Sequence, residues 1–204
     1  MRLILASGSP RRVELLRAAG LAFDVVPAQV DETPLEGETP VAHVLRLARL
    51  KADRVAARRP DDVVLGADTV VTVDGLLLGK PADDAEARAM LERLSARAHE
   101  VLTGVAVARG GEIATGVDRT VVHFAQLCEE DLAWYVASGE PRDKAGAYGI
   151  QGRASRFVDR IEGSYSNVVG LPVSLVVRLL AWAARPGAFD DVADGNSSVG
   201  PVLA

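Results

Sequence analysis

Three observations predict an α/β fold with a mixed sheet. Short apolar runs alternate with stretches of helical periodicity along most of the 204 residues. Asp74-Gly75 and Gly110-Gly111 are tight-turn signals between apolar runs, and two-residue turns join antiparallel strands. Helix-length segments separate the other strands. Together these features describe a mixed sheet, not a purely doubly wound one.

Taken in order, Leu3 to Ala6 reads as a buried strand. Ser7-Gly8-Ser9-Pro10 turns into a helix with Ser9 at the N-cap and Pro10 at the first helical position. Val13, Leu16 and Ala19 share a face, and Gly20 ends it. Arg11 and Arg12 stand in the first turn, where cations oppose the helix dipole. They are either solvated arginines or part of an anion site shared with backbone N–H groups. Phe23 to Val26 is a second strand, and Val30-Asp31-Glu32-Thr33-Pro34 leaves it with two adjacent acids. Thr39-Pro40 starts a helix running to about Arg58, with the seam Val41, Val44, Ala48 and Val55. Lys51 falls in that seam. Its ammonium either snorkels to water or meets a buried anion.

Val63 to Val73 reads as buried strand, interrupted by Asp68. Burying a carboxylate costs several kcal/mol unless it is paired, hydrogen-bonded or on a metal, so about that much must be offset. Asp74-Gly75 predicts a type I′ hairpin to Leu76-Leu77-Leu78. Gly79-Lys80-Pro81 follows. It is not a phosphate-binding P-loop, because the glycine spacing is one residue short and Pro81 replaces the Ser/Thr. Asp83 and Glu86 open a helix to about Leu94 in capping-box fashion.

Val101 to Ala108 and Ile113 to Phe124 are two long strands, and Glu129 to Ser138 is a helix stopped by Gly139. Residues 140–152 form a glycine-rich loop with Tyr148 and Gln151, suited to close approach of backbone to a flat ligand. Phe157 to Ile161 is the last strand. A final helix runs from Pro172 to about Ala184 with Val173, Val176, Val177 and Leu180 inward. Residues 1–186 are expected to form one domain, and 187–204 a mobile tail.

Composition narrows the function. The net charge of −5 argues against a nucleic-acid polymer as partner. The single cysteine, Cys128, rules out a disulfide framework and a cysteine zinc site, and reads as a semi-buried packing residue. The three histidines show no close pairing suited to a metal. The apolar start is too short for a secretory segment, and no run approaches the roughly 20 residues of a membrane span. A cytoplasmic protein with no membrane partner is expected.

The chemistry-bearing candidates are Ser7, Arg11, Arg12, Glu32, Lys51, Asp68, Lys80, Lys144 and Gln151. Several cations facing an acid pair is the inventory a polyphosphate needs. Cations neutralise phosphate oxygens while acids hold a divalent metal and orient water.

The motifs ASGSPRR (6–12), VDE (30–32), GADTVV (66–71), GKP (79–81), HEVLTGV (99–105), YVASGEPRDKAGAYGIQG (135–152) and NVVGLP (167–172) closely resemble the Maf family of nucleoside triphosphate pyrophosphatases. The resemblance spans roughly residues 3–184. It implies an elongated mixed α/β fold with two lobes around a central cleft, similar to inosine triphosphate pyrophosphatases. It implies hydrolysis of a nucleoside triphosphate to the monophosphate and diphosphate with Mg²⁺ or Mn²⁺. By the same resemblance Asp68 is the proton acceptor, Glu32 and Asp68 share the metal, and Ser7, Arg12, Lys51, Lys80 and Lys144 bind substrate. Arg11, Thr69 and Gln151 mark the branch acting on dTTP and UTP, and a homodimer is implied. A broad-specificity pyrophosphatase is the alternative, as is a septum-inhibiting division regulator acting through a binding partner. Ala96 departs from the family's commoner glycine, with a local backbone effect expected.

Overall fold

The computed structural model describes residues 1–185 and the backbone of Val202 and Leu203. Its strands are β1 (Leu3–Leu5), β2 (Asp24–Val25), β3 (Val63–Val73), β4 (Leu76–Leu78), β5 (Ala98–Arg109), β6 (Glu112–Phe124), β7 (Val158–Glu162) and β8 (Val202–Leu203). Its helices are α1 (Pro10–Ala18), α2 (Pro40–Ala56), α3 (Asp84–Leu94), α4 (Glu129–Ala137), α5 (Tyr165–Val169) and α6 (Val173–Ala183). The sheet order is β2-β1-β3-β5-β6-β7, with β4 beside β3 and β8 beside β6. The sheet is mixed, as expected. The tail expected at 187–204 lies outside the described residues, except that Val202 and Leu203 pair in parallel with Thr115 and Gly116. The strand expected to be last, β7, is thus followed by β8.

The chain divides into two compact units. The first comprises Met1–Asp68, Thr103–Asp118 and the described residues from Gly170 onward. Here β1 pairs in parallel with β2 and with β3, placing Ile4 beside Asp24 and Leu5 beside Leu65. Parallel neighbours need long crossovers, and α1 and α2 occupy those segments. Thr39 caps α2 by accepting from the Ala42 N–H at 3.2 Å. Ser9 holds the N-cap position of α1, but its side chain makes no capping bond. The core is aliphatic: Leu5, Leu16, Leu65, Val105, Leu171 and Leu179 are among its fully buried members.

Two helix seams differ from the sequence expectation. Val41 is 40% exposed, because α2 meets the sheet only from Val44 onward. There a Cβ on Gly104 would lie 2.3 Å from the Val44 carbonyl oxygen. On α6 the buried residues are Leu175, Val176, Leu179 and Ala183, while Val177 is 49% exposed. Leu175 fills the space left by Gly116, whose added Cβ would lie 2.8 Å from its Cδ1. That notch rotates the helix so that positions 175, 179 and 183 face inward.

The second unit comprises Thr69–Leu102 and Arg119–Val169. The β3–β4 hairpin sets Val71 opposite Leu78, and its turn residues Asp74 and Gly75 both have positive φ, 51° and 76°. That is the predicted type I′ turn. Asp83 caps α3 through the Glu86 N–H at 2.8 Å. Glu86 returns a bond to Ala82 N–H, one residue short of a true capping box. Ala96 has φ of 55°, which accounts for the glycine expected there. Cys128 corrects the expectation of a packing residue: it is exposed at the start of α4, with Sγ 3.1 Å from Asp131 Oδ2. Between β7 and α6 lies the short helix α5, whose Asn167 N–H reaches the Ser164 hydroxyl.

At the centre of this unit His99 is 2% exposed. Its Nε2 lies 2.8 Å from the Tyr148 hydroxyl, and Phe124 and Tyr148 pack edge-on against its ring. Its Nδ1 has no hydrogen-bond partner among the described residues. Burial first, then the nearby His123, pushes its pKa down to about 4. The unfolded imidazole titrates near about 6.5. Between these values the unfolded chain binds the extra proton, so stability is full above the upper value and falls as pH drops to the lower. The expected loss is about 3 kcal/mol. Urea midpoints of the wild type and His99→Phe, followed from pH 7 to 4.5, measure it. The wild type should lose more, and parallel curves would refute the assignment.

Candidate active site

The site is built on Asp68, the last residue that β3 contributes to the first unit. Two residues earlier, a Cβ on Gly66 would lie 2.2 Å from the Ala48 carbonyl oxygen and 2.7 Å from the Ala52 nitrogen. Only glycine permits α2 to lie this close to the strand. Lys51 is thereby brought down onto Asp68. Its Nζ donates to Asp68 Oδ1 at 2.7 Å, with both side chains at or below 10% exposure. The same ammonium pairs with Glu32 Oε1 at 2.6 Å. The seam lysine therefore meets a buried anion and does not snorkel. The Glu32 side chain is 49% exposed, so the cluster opens to solvent on that side.

Ser7 and Arg12 adjoin this cluster. Arg12 is buried, which settles the two readings left open for it against a solvated surface role. Its Nη1 donates to Ser7 Oγ at 3.1 Å and to the Ala67 carbonyl at 2.8 Å, and its Nε to the Gly170 carbonyl at 2.9 Å. One guanidinium thus ties the end of β1, the residue before Asp68 and the turn into α6. Burial draws its pKa down, while Asp68 and then Glu32 oppose the shift, which places Arg12 within their field. Arg11 is partly exposed beside it.

A second polar network holds the acid loop. Asp31 Oδ1 accepts from the Thr33 N–H at 2.9 Å, so the adjacent acids divide their tasks: Asp31 forms the turn and Glu32 faces Lys51. Arg46 donates to the Thr33 carbonyl at 3.1 Å and grips Glu38 with Nε and Nη2 at 2.5 and 2.8 Å. His43 Nδ1 lies 2.9 Å from the same Glu38 carboxylate. Arg46, with His43, holds the Glu38 carboxyl far below the usual carboxylate range. Glu38, His43 and Arg46 escaped the sequence reading. Their signal was an acid just before the Thr39 cap, with His43 and Arg46 three apart on one helical face. A cavity of about 700 Å³ lies behind this loop, lined by Asp31, Arg46 and Arg54 among others, and by none of Glu32, Lys51 and Asp68.

The remaining predicted residues belong to the second unit. Thr69 is half-buried on β3, and Lys80 and Gln151 are exposed. Lys80 follows Gly79, whose carbonyl accepts from the Gly146 N–H at 3.0 Å. Lys144 is not a loose cation: its Nζ donates to the Glu140 carbonyl at 2.7 Å and Asp143 Oδ1 at 2.6 Å. The expected loop at 140–152 contains two 3₁₀ turns, Glu140–Asp143 and Ala145–Ala147.

Among the described residues no group of three or more His, Cys, Asp or Glu is placed to hold a metal ion. Glu32 and Asp68 nevertheless converge on a single cation, Lys51. Two carboxylates fit a hard cation that completes its shell with water and phosphate oxygens. No helix among the described residues is long and apolar enough to cross a membrane.

Sheet and helices define an α/β protein built like the Ham1 proteins. The Staphylococcus aureus Ham1 structure matches at a TM-score of 0.52 and 14% identity, over 90% of this chain and 100% of that one. A Coxiella burnetii HAM1 structure gives 0.50 at 17% identity, over 88% and 98%. The chain belongs to the Maf family, whose model, described as Maf-like protein, matches residues 2–183. It is similar to proteins named dTTP/UTP pyrophosphatase from three organisms. The Symbiobacterium thermophilum protein is 55% identical, over 91% of this chain and 95% of its own. The Geotalea uraniireducens protein is 54% identical, over 92% and 96%. A Bacillus cereus protein is 51% identical, over 88% and 94%.

Proposed function

We propose that this protein hydrolyses dTTP and UTP to the nucleoside monophosphate and diphosphate. The observation that carries the reading is the Glu32–Lys51–Asp68 cluster, set in a chain 51% to 55% identical to relatives named for that activity. Asp68 takes the proton of the water that attacks the α-phosphorus. Lys51 holds the Asp68 carboxylate in place and presents positive charge towards the phosphate oxygens. Arg12 keeps Ser7 and the Ala67–Asp68 backbone in register, and its charge favours the polyphosphate. Lys80 and Lys144 bind the departing diphosphate. Glu32 and Asp68 would hold magnesium or manganese, which when bound neutralises phosphate charge and acidifies water.

Arg11, Thr69 and Gln151 select the base. The Gln151 amide both donates and accepts, as the imide edge of thymine or uracil requires. A cytoplasmic homodimer acting on free nucleotides completes the reading, on the family resemblance alone. Diphosphate release from dTTP, UTP, CTP, 7-methyl-GTP and ITP tests it. The kcat/KM for dTTP and UTP should exceed the others by at least about tenfold. A flat profile would replace this reading with a broad pyrophosphatase.

A further inference from the structure

We propose that Glu140 is a positioning residue that sets the Gln151 amide for base selection. The inference rests on the reading of Gln151 as a base contact. Both carboxylate oxygens of Glu140 hold the segment that carries Gln151, one directly and one through Tyr135 of α4. Oε1 accepts from the Tyr135 hydroxyl at 3.1 Å, and Oε2 accepts from the Arg153 N–H at 3.1 Å. The Tyr135 oxygen in turn accepts from the Gly149 N–H at 3.1 Å. One carboxylate therefore clamps the backbone on both sides of Gln151, directly at Arg153 and through Tyr135 at Gly149.

The clamp is closely packed. A Cβ on Gly152 would lie 2.1 Å from Glu140 Oε1 and 2.6 Å from its Cδ, so the carboxylate presses on the chain right after Gln151. A Cβ on Gly149 would lie 2.5 Å from Lys144 Cε, and that lysine's Nζ is held by the Glu140 carbonyl. The base of the clamp is rigid. Tyr135 is fully buried and packs edge-on against Phe157 at 5.3 Å. The Ser138 hydroxyl accepts from the Glu140 N–H at 3.2 Å. Gln151 itself is exposed, and the clamp fixes the backbone on either side of it.

Both groups facing the carboxylate are donors, which identifies the test. In Glu140→Gln the amide oxygen can keep the Arg153 N–H only by turning its NH₂ to the Tyr135 hydroxyl. That hydroxyl then loses its charged acceptor and must accept from two donors at once, so the Tyr135 arm weakens while size and shape are kept. Kinetics of dTTP and CTP hydrolysis are measured for the wild type, Glu140→Gln, Tyr135→Phe and Gln151→Ala, with thermal melting alongside. Glu140→Gln and Tyr135→Phe should each cut the dTTP-over-CTP ratio of kcat/KM about tenfold, chiefly through KM. Gln151→Ala should cut it at least as far. A purely structural role would lower the melting temperature and leave the ratio alone. If Gln151→Ala shifts the ratio while both clamp variants keep the wild-type value, the positioning role is overturned and the base contact stands. If Gln151→Ala leaves the ratio unchanged, the base contact falls, and Glu140 with it. Should Glu140→Gln fail to fold, Tyr135→Phe decides.

Discussion

Asp68→Asn is expected to lower diphosphate release from dTTP by at least about a thousandfold, while the protein stays folded. The substitution keeps the size of the side chain and removes its ability to accept a proton. Asp68 is 7% exposed at the point where β3, α2 and the acid loop meet, so no solvated carboxylate readily takes its place. Glu32 is the nearest candidate, but it approaches Lys51 from the solvent side. Folding should survive because Lys51 keeps Glu32 as partner and an amide oxygen at position 68. Turnover at saturating dTTP, with circular dichroism as the control, makes the comparison. Near-normal rates in a folded Asp68→Asn protein would remove Asp68 from the chemistry.

Lys51→Met has the largest expected effect on stability. Removing one partner of a buried ion pair costs about 3–5 kcal/mol, because the other charge stays behind unpaired. Glu32 can swing into water, so the lower end of that range applies. Asp68 cannot swing out, and the strain should fall on it. The same variant probes the metal site without any turnover. With the ammonium gone, its charge no longer competes with a metal for the two carboxylates. Magnesium should then raise the melting temperature of Lys51→Met more than that of the wild type. Saturation at 100 times the dissociation constant contributes about 2.7 kcal/mol. Equal shifts in both proteins, or an equal effect of sodium at matched ionic strength, would remove Glu32 and Asp68 as metal ligands.

Much of this site was visible as local contradiction. Asp68 stood out because a carboxylate broke a β-branched run, and Lys51 because it fell on an apolar seam. Both proved to be one contact, at 2.7 Å. The type I′ turn at Asp74-Gly75 and the cap at Thr39 were legible because their conformations demand particular residues. Less legible were residues whose task is to hold others. Glu38 and Glu140 do not stand out in the sequence, since their neighbours along the chain do not show which groups their carboxylates meet. The periodicity of α6 points to a face one notch from the buried one, because the residues it buries depend on the gap at Gly116. Cys128 suggests packing by its type, whereas its place at a helix start exposes it.

By itself the sequence determined the order of the main strands and helices, the turns, the family and the kinds of groups in the site, but not α5 or β8. These follow from local sterics and from runs of residues that match the Maf family. Tertiary structure alone decided which groups meet. Lys51 reaches Asp68 because Gly66 lets two backbones touch, and Arg12 is buried because three separated segments offer it oxygen acceptors. Close approach between distant segments depends on the shape of both surfaces at once, and a linear pattern records only one of them.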